Sequence, residues 1–286
     1  MTEFDPITYK LKIISNWNTV ADKYHNNWVQ NDIGPFGATE KLIHMADIQQ
    51  SDFILDLGCG TGTVTKKIAK KLGKTGKLIG IDISRKALSI AKSETKDSNV
   101  DFIEMDVEKI FFSRKFSKVV SQFAAMFFTD PMKTLNSIRK IMAQKGIIVL
   151  GVHGLAENVP YFNCIMRNII KFIPNLIPNG SPSVHSMGDS NKLYDLLLRT
   201  GFTNVKIEKY QFSYIAGTFD QYWQNYMECT ANSIKEIINK DDEILRLIKY
   251  ESKKNTLPFL QNNKITFPWE ILIASCLLYT SPSPRD

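Results

Sequence analysis

Cysteine is scarce in this chain, with four in 286 residues. Cys59, Cys164, Cys229 and Cys276 form no Cys-x-x-Cys pair and cluster with no histidine, which excludes a disulfide framework and a zinc site of the usual spacing. Long apolar runs are missing too. Lys or Arg interrupts each one before the roughly 20 residues of a membrane span. Met1 to Lys12 lacks the basic-then-apolar order of a secretory signal, so the expected address is cytoplasmic. No glycine loop ends in Gly-Lys-Ser/Thr, which excludes a phosphate-gripping nucleotide loop. No internal repeat and no low-complexity linker divide the chain. With 43% hydrophobic and 23% charged residues, disorder and coiled coil are excluded as well. The net charge of +7 admits an anionic partner, but the basic residues stand singly or in pairs. The densest group, Lys66, Lys67, Lys70 and Lys71, fits a solvated helix face, so nucleic acid is a disfavoured partner.

What is present is alternation. Phe53 to Leu57 reads as a buried strand, Gly58 to Gly62 as a turn and Thr63 to Leu72 as a helix. Strands follow at Lys77–Ile81, Val100–Glu104, Lys118–Gln122 and Ile147–Leu150, with helices at Arg85–Thr95 and Pro131–Ala143. Asp130 caps the last of these and Pro131 opens it. Such alternation gives an α/β fold with a doubly wound, mostly parallel sheet. Residues 1–50 form a helical cap, and residues 51–275 one domain with helical insertions at about 152–186 and 217–262. The apolar stretch Tyr161–Ile173 in the first insertion reads as a lid helix. Helix and strand resume at Asp189–Thr200 and Phe202–Tyr210. Tyr222–Tyr250 is helical, and Lys264–Ala274 is a closing strand. Residues 276–286 read as the translation of a sequencing adaptor rather than native protein, so the natural C-terminus is expected to be lost from about Ser275 onward.

The chemistry concentrates at strand ends. In Asp56-Leu57-Gly58-Cys59-Gly60-Thr61-Gly62 the glycines let backbone turn sharply beside a ligand. Thr63 stands where a dinucleotide fingerprint needs its third glycine, which argues against NAD or FAD. Asp56 suits a ligand with an ammonium group. Asp82 ends the next strand, placed to accept from two ribose hydroxyls, and Asp106 follows the third, placed to accept from an adenine amine. Ser121 and Gln122 end the fourth strand at the same crevice, where doubly wound sheets bind ligands. Carboxylates ending three successive strands beside a glycine turn describe a pocket for a nucleoside with a cationic tail. Cys59 reads as a small filler in the turn.

These residues resemble the core of the class I S-adenosylmethionine-dependent methyltransferases, most closely the ubiquinone/menaquinone-type small-molecule subgroup. The likeness rests on Leu55 to Gly62, Gly80-Ile81-Asp82-Ile83-Ser84 and Val119 to Phe123, and covers about two thirds of the chain. Asn16 to Tyr24 is similar to the helix that covers the cofactor in that subgroup, which implies contacts from Trp17 and Tyr24. The resemblance implies a seven-stranded Rossmann-like sheet with S-adenosyl-L-methionine as cofactor. Asp56, Gly58, Cys59, Gly60, Thr61 and Gly62 would line its methionine part and Asp82 would hold the ribose. Ile83 would pack on adenine, Asp106 and Val107 would bind the adenine edge, and Ser121 would face the sulfonium. Ser117 and Gln144-Lys145-Gly146 depart from the Asp and Pro-Gly-Gly usual in the family, at turns away from the cofactor.

The implied activity is methyl transfer to a small apolar or aromatic acceptor, of quinone-like or lipid-like type. An RNA methyltransferase and a non-catalytic binding or scaffold module stand as alternatives. His153, just past the fifth strand, is the candidate catalytic residue, as a general base or as pocket lining only. His25, Tyr161 and His185 are placed to reach the pocket, whereas His44 reads as structural. Aromatic residues of the insertions (Tyr161, Phe162, Phe172, Phe219, Tyr222, Trp223, Tyr226) line the acceptor side or fill the core.

Overall fold

The structure is a computed structural model that describes residues 3–29, 34–174, 176–229 and 241–279. Strands β1 (Phe53–Leu57), β2 (Lys77–Asp82), β3 (Val100–Glu104), β4 (Phe116–Gln122) and β5 (Met142–His153) are joined by β6 (Thr203–Gly217), β7 (Leu260–Gln261) and β8 (Lys264–Leu277). The helices are α1 (Pro6–Tyr24), α2 (Thr39–Ala46), α3 (Thr63–Ala69), α4 (Arg85–Glu94) and α5 (Pro131–Lys140), then α6 (Pro160–Phe172), α7 (Ser190–Arg199), α8 (Phe219–Cys229) and α9 (Asp242–Asn255).

Sheet order is β3-β2-β1-β4-β5-β8-β6, with the two-residue β7 paired to β8. The seven ordered strands match the expected count, and β7 is an eighth. The first five strands are parallel, and β8 runs antiparallel between β5 and β6. Ile54, Leu55, Leu57, Val119, Val120, Leu150 and Ile271 to Ala274 are all fully buried. Strands covered on both faces need continuous apolar runs, which these segments have. Each such side chain contributes about 1.5–3 kcal/mol by leaving water. The outermost strand, β6, instead alternates exposed and half-buried positions.

Several boundaries differ from the sequence reading, each for a local reason. Helix α3 stops at Ala69, before a turn in which Leu72 N–H donates to the Ala69 carbonyl. Helix α5 stops at Lys140, and β5 starts at Met142 because Met142 pairs with Phe116 across a register shift. Lys145 accommodates that early start at φ +59°. Strand β8 continues through Cys276 and Leu277, opposite Ile148 and Ile147, and Leu278 is buried beyond it. Cys-Leu-Leu after a central strand is apolar, so the ladder extends through it. The rest of the expected adaptor tail, from residue 280, lies outside the described residues, as does part of the expected Tyr222–Tyr250 helix.

The expected lid helix corresponds to α6, and the structure corrects its role. Tyr161, Cys164, Ile165 and Ile169 are buried where α6 packs against α9 and β8. Tyr161 lies within 5.7 Å, ring centre to ring centre, of Tyr222, Phe267 and Trp269. An apolar helix face gains more by joining that aromatic core than by standing over a wet cleft. Among the described residues no helix is long and apolar enough to cross a membrane.

Candidate active site

Strand order reverses between β1 and β4, and a cavity of about 160 Å³ opens at the carboxyl ends of the strands there. The turn after β1 forms its floor. Gly58 has φ +64°, and a Cβ there would lie 2.3 Å from the Ala124 Cβ. Gly60 has φ +56°, and a Cβ there would meet nothing within 4 Å. One glycine is demanded by packing and the other leaves room over the cavity.

Asp56 is 1% exposed. Its Oδ2 accepts from the Thr65 hydroxyl at 2.6 Å, while Oδ1 is buried without a partner. Burial pushes the carboxyl up to about 7, against the Thr65 hydrogen bond and with a further rise from Asp82. Asp82 accepts from the backbone N–H of Gly60 at 2.9 Å and of Ser84 at 2.8 Å. Burial raises its carboxyl too, and these hydrogen bonds oppose the rise. Asp106 accepts from the Glu108 N–H at 2.9 Å and pairs with the Lys10 ammonium at 2.6 Å. Lys10 also lies 3.1 Å from Glu108.

Helix α1 is the roof. Asp5 caps it, accepting from the N–H groups of Ile7 and Thr8, and Pro6 opens it. Lys10, Ile13, Trp17, Ala21 and Tyr24 all line the cavity. Their spacing of three to four residues puts them on one face. Trp17 and Tyr24 meet edge to face at 5.2 Å.

Of the expected site residues, Asp56, Gly58, Cys59, Gly60, Thr61, Asp82, Ile83, Asp106, Val107, Gln122, Trp17 and Tyr24 line this one cavity. Gly62 and Ser121 do not. The Gly62 N–H donates to the Cys59 carbonyl at 2.9 Å, and the Ser121 hydroxyl donates to the Leu57 carbonyl at 3.0 Å, so both shape the turn from behind.

His153 also stands back from the cavity. Its ring stacks on Phe123 at 4.4 Å, and Nδ1 accepts from the Trp269 indole at 3.1 Å. Burial lowers its pKa to about 3, so the imidazole is neutral with its proton on Nε2. His25 bonds Thr61 from outside at 2.9 Å, and His185 bonds the Gly154 carbonyl at 2.8 Å. His44 is exposed on α2.

Sequence reading missed Lys10, whose partners Asp106 and Glu108 lie far along the chain, and Phe123. Phe123 directly follows β4 at φ +61°, a left-handed conformation that costs a bulky residue about 1–2 kcal/mol. The strain aims its ring into the cavity wall between Phe36 and His153. The periodicity of α1 signalled Lys10 as a roof residue, but nothing local signalled Phe123.

The residues present fit S-adenosylmethionine. A partnerless buried carboxylate oxygen awaits a cation, two further acids end the neighbouring strands, and Gly60 leaves a cradle that a Cβ would fill.

A methyltransferase-domain family model matches residues 48–250. The ubiquinone/menaquinone biosynthesis C-methyltransferase UbiE of Blochmanniella pennsylvanica is 25% identical over 69% of this chain and 84% of that protein. The demethylmenaquinone methyltransferase of Staphylococcus saprophyticus is 23% identical over 68% of this chain and 84% of its own. The Haemonchus contortus phosphoethanolamine N-methyltransferase 2, solved with phosphomonomethylethanolamine and S-adenosylhomocysteine, superposes with a TM-score of 0.61 at 14% identity, over 95% of this chain and 60% of that one. Sheet order, glycine turn, acidic strand ends and these likenesses agree: the chain belongs to the methyltransferase-domain family, as a class I S-adenosylmethionine-dependent methyltransferase similar to the ubiquinone/menaquinone type.

Proposed function

We propose that the methyl acceptor is a small aromatic molecule of quinone-like type. The observation that carries this reading is the set of aromatic side chains that line the same cavity as the acidic strand ends: Tyr24, Phe36, Phe123, Phe127 and Phe128. The strain held at Phe123 supports it, since a residue kept at positive φ beside a cavity is a common mark of a working site. The quinone-directed names of the two sequence relatives point the same way.

In this reading Asp56 holds the cofactor's ammonium, and Gly58, Cys59, Gly60 and Thr61 cradle its methionine part. Asp82 takes the ribose hydroxyls, Ile83 packs on the base, and Asp106 and Val107 meet its edge. Gly62 and Ser121 keep the turn in shape. When bound, the cofactor supplies a sulfonium methyl that is already activated, so the protein's work is alignment and exclusion of water. The roof face of α1, with Trp17 and Tyr24, closes over the site and keeps water out. His153 supports Phe123 from behind and takes no proton, because its acceptor nitrogen is engaged by Trp269.

Incubation with methyl-labelled S-adenosylmethionine and a panel of naphthols, quinols, fatty acyl lipids and RNA tests the proposal. Label is expected in the bicyclic aromatic acceptors. Label confined to RNA or to acyl chains would overturn it.

A further inference from the structure

Gln122 is 8% exposed and lines the cavity at the end of β4. Its Oε1 stands 2.9 Å from the Thr39 hydroxyl, and its Nε2 is buried with no partner. Thr39 is fully buried at the start of α2, and the same hydroxyl stands 2.7 Å from the Phe36 carbonyl. A hydroxyl has a single proton, and here two oxygens face it. The 2.7 Å separation is the usual length of an O–H···O bond, whereas 2.9 Å is the usual length of an N–H···O bond. We assign the proton to the shorter contact, with Phe36, which leaves a Thr39 lone pair facing Gln122. The two ends of a side-chain amide have the same shape, so a half-turn satisfies every group around Thr39.

We propose that Gln122 gives its N–H to Thr39 and turns its carbonyl oxygen into the cavity. That oxygen determines specificity by selecting methyl acceptors with a hydroxyl beside the methylated atom. Its position favours the acceptor over the cofactor. Asp56 lies opposite Val120, so Gln122 stands one strand across and two residues, about 7 Å, further along. It pairs there with Gly151 of β5, beside Phe123 and next to the Phe36 turn. Thr39 fixes the amide from behind, so the oxygen is held ready without a donor of its own. A buried acceptor in that state rejects ligands that bring no proton to it. The inference rests on the aromatic acceptor proposed above and adds the polar group that acceptor must carry.

The test uses the full chain saturated with S-adenosylhomocysteine and two calorimetric probes, 1-naphthol and 1-methoxynaphthalene. Wild-type protein is expected to bind the naphthol about ten- to a hundredfold more tightly than its ether. Gln122→Met is expected to bring the two within about twofold, while its affinity for S-adenosylhomocysteine stays within about threefold of wild type. Equal binding of both probes by wild type would overturn the proposal. So would loss of S-adenosylhomocysteine binding in a folded Gln122→Met protein, since the amide would then serve the cofactor. If wild type takes S-adenosylhomocysteine but neither probe, the aromatic acceptor falls, and neutron diffraction from a deuterated crystal decides the amide directly. Deuterons facing Thr39 support the inference, and deuterons facing only the cavity refute it.

Discussion

Asp56 makes cofactor binding depend on pH in a way that can be worked through. Burial lifts its carboxyl from 3.8 to about 7, and its free oxygen is the proposed seat of the ligand's ammonium. Only the ionised form holds that ammonium well. With a pKa near 7 the ionised share is about 9% at pH 6 and about 91% at pH 8, so affinity for S-adenosylhomocysteine should rise about tenfold across that interval. Above pH 8 the ligand's own α-amino group loses its proton and affinity falls again. Stability of the free protein runs the other way. A carboxyl whose folded pKa is raised stabilises the fold while it is protonated, below about pH 4, and loses that contribution as pH climbs through 7. Three pKa units correspond to about 4 kcal/mol at most. Asp56→Asn removes this titration, so its melting temperature should fall less than that of wild type between pH 5 and 8. The variant should also bind S-adenosylhomocysteine about ten- to a hundredfold more weakly at pH 8. Calorimetry gives the affinities and scanning calorimetry the melting points. Wild-type affinity that stays flat from pH 6 to 8, or an unchanged profile in Asp56→Asn, would refute the reasoning.

Three other perturbations separate structure from function. Lys10→Met removes a part-exposed ion pair and should cost less than about 1 kcal/mol of stability. It should nevertheless speed S-adenosylhomocysteine release at least about threefold in stopped-flow measurements, because the roof loses its tie to Asp106; unchanged rates would show that Lys10 holds nothing shut. Gly58→Ala and Gly60→Ala both place a methyl at positive φ, but only the first collides with Ala124. Gly58→Ala should therefore lose about 2–4 kcal/mol by denaturant titration, whereas Gly60→Ala should lose about 1–2 kcal/mol and be impaired mainly in cofactor affinity. Ending the chain at Ser275 deletes buried Cys276 and Leu278 and two 2.9 Å backbone bonds, Lys145 N–H to Leu278 and Leu278 N–H to Gly146. At least about 3 kcal/mol of stability should go with them, and an unchanged melting temperature would show that the end of β8 is dispensable.

The site was legible where chemistry is local. Asp56 with its glycine turn, then Asp82 and Asp106, lie at successive strand ends, and the doubly wound topology brings successive strand ends together. Gly62 and Ser121 belong to the segments beside the cavity but turn their bonds into the scaffold, a distinction that needs coordinates. His153 is the last residue of β5, yet the ring of Phe123 intervenes because tertiary contacts hold that residue at a backbone angle no local pattern encodes. Tyr161 and its helix read as a lid because amphipathicity marks an apolar face without naming what covers it. Here α9 and β8 do.

The roof of the site is made before the surfaces it packs against. Helix α1 leaves the ribosome ahead of every strand, yet it packs against α4 and α8 and ties to Asp106, all translated later. A 19-residue helix with few buried side chains has little stability by itself in water. During synthesis the contacts of this segment with α8, some 200 residues on, therefore form only after most of the chain has been made. Competence to close over a cofactor is thus a late event in translation, and S-adenosylhomocysteine retained by stalled chains would report when the fold is complete.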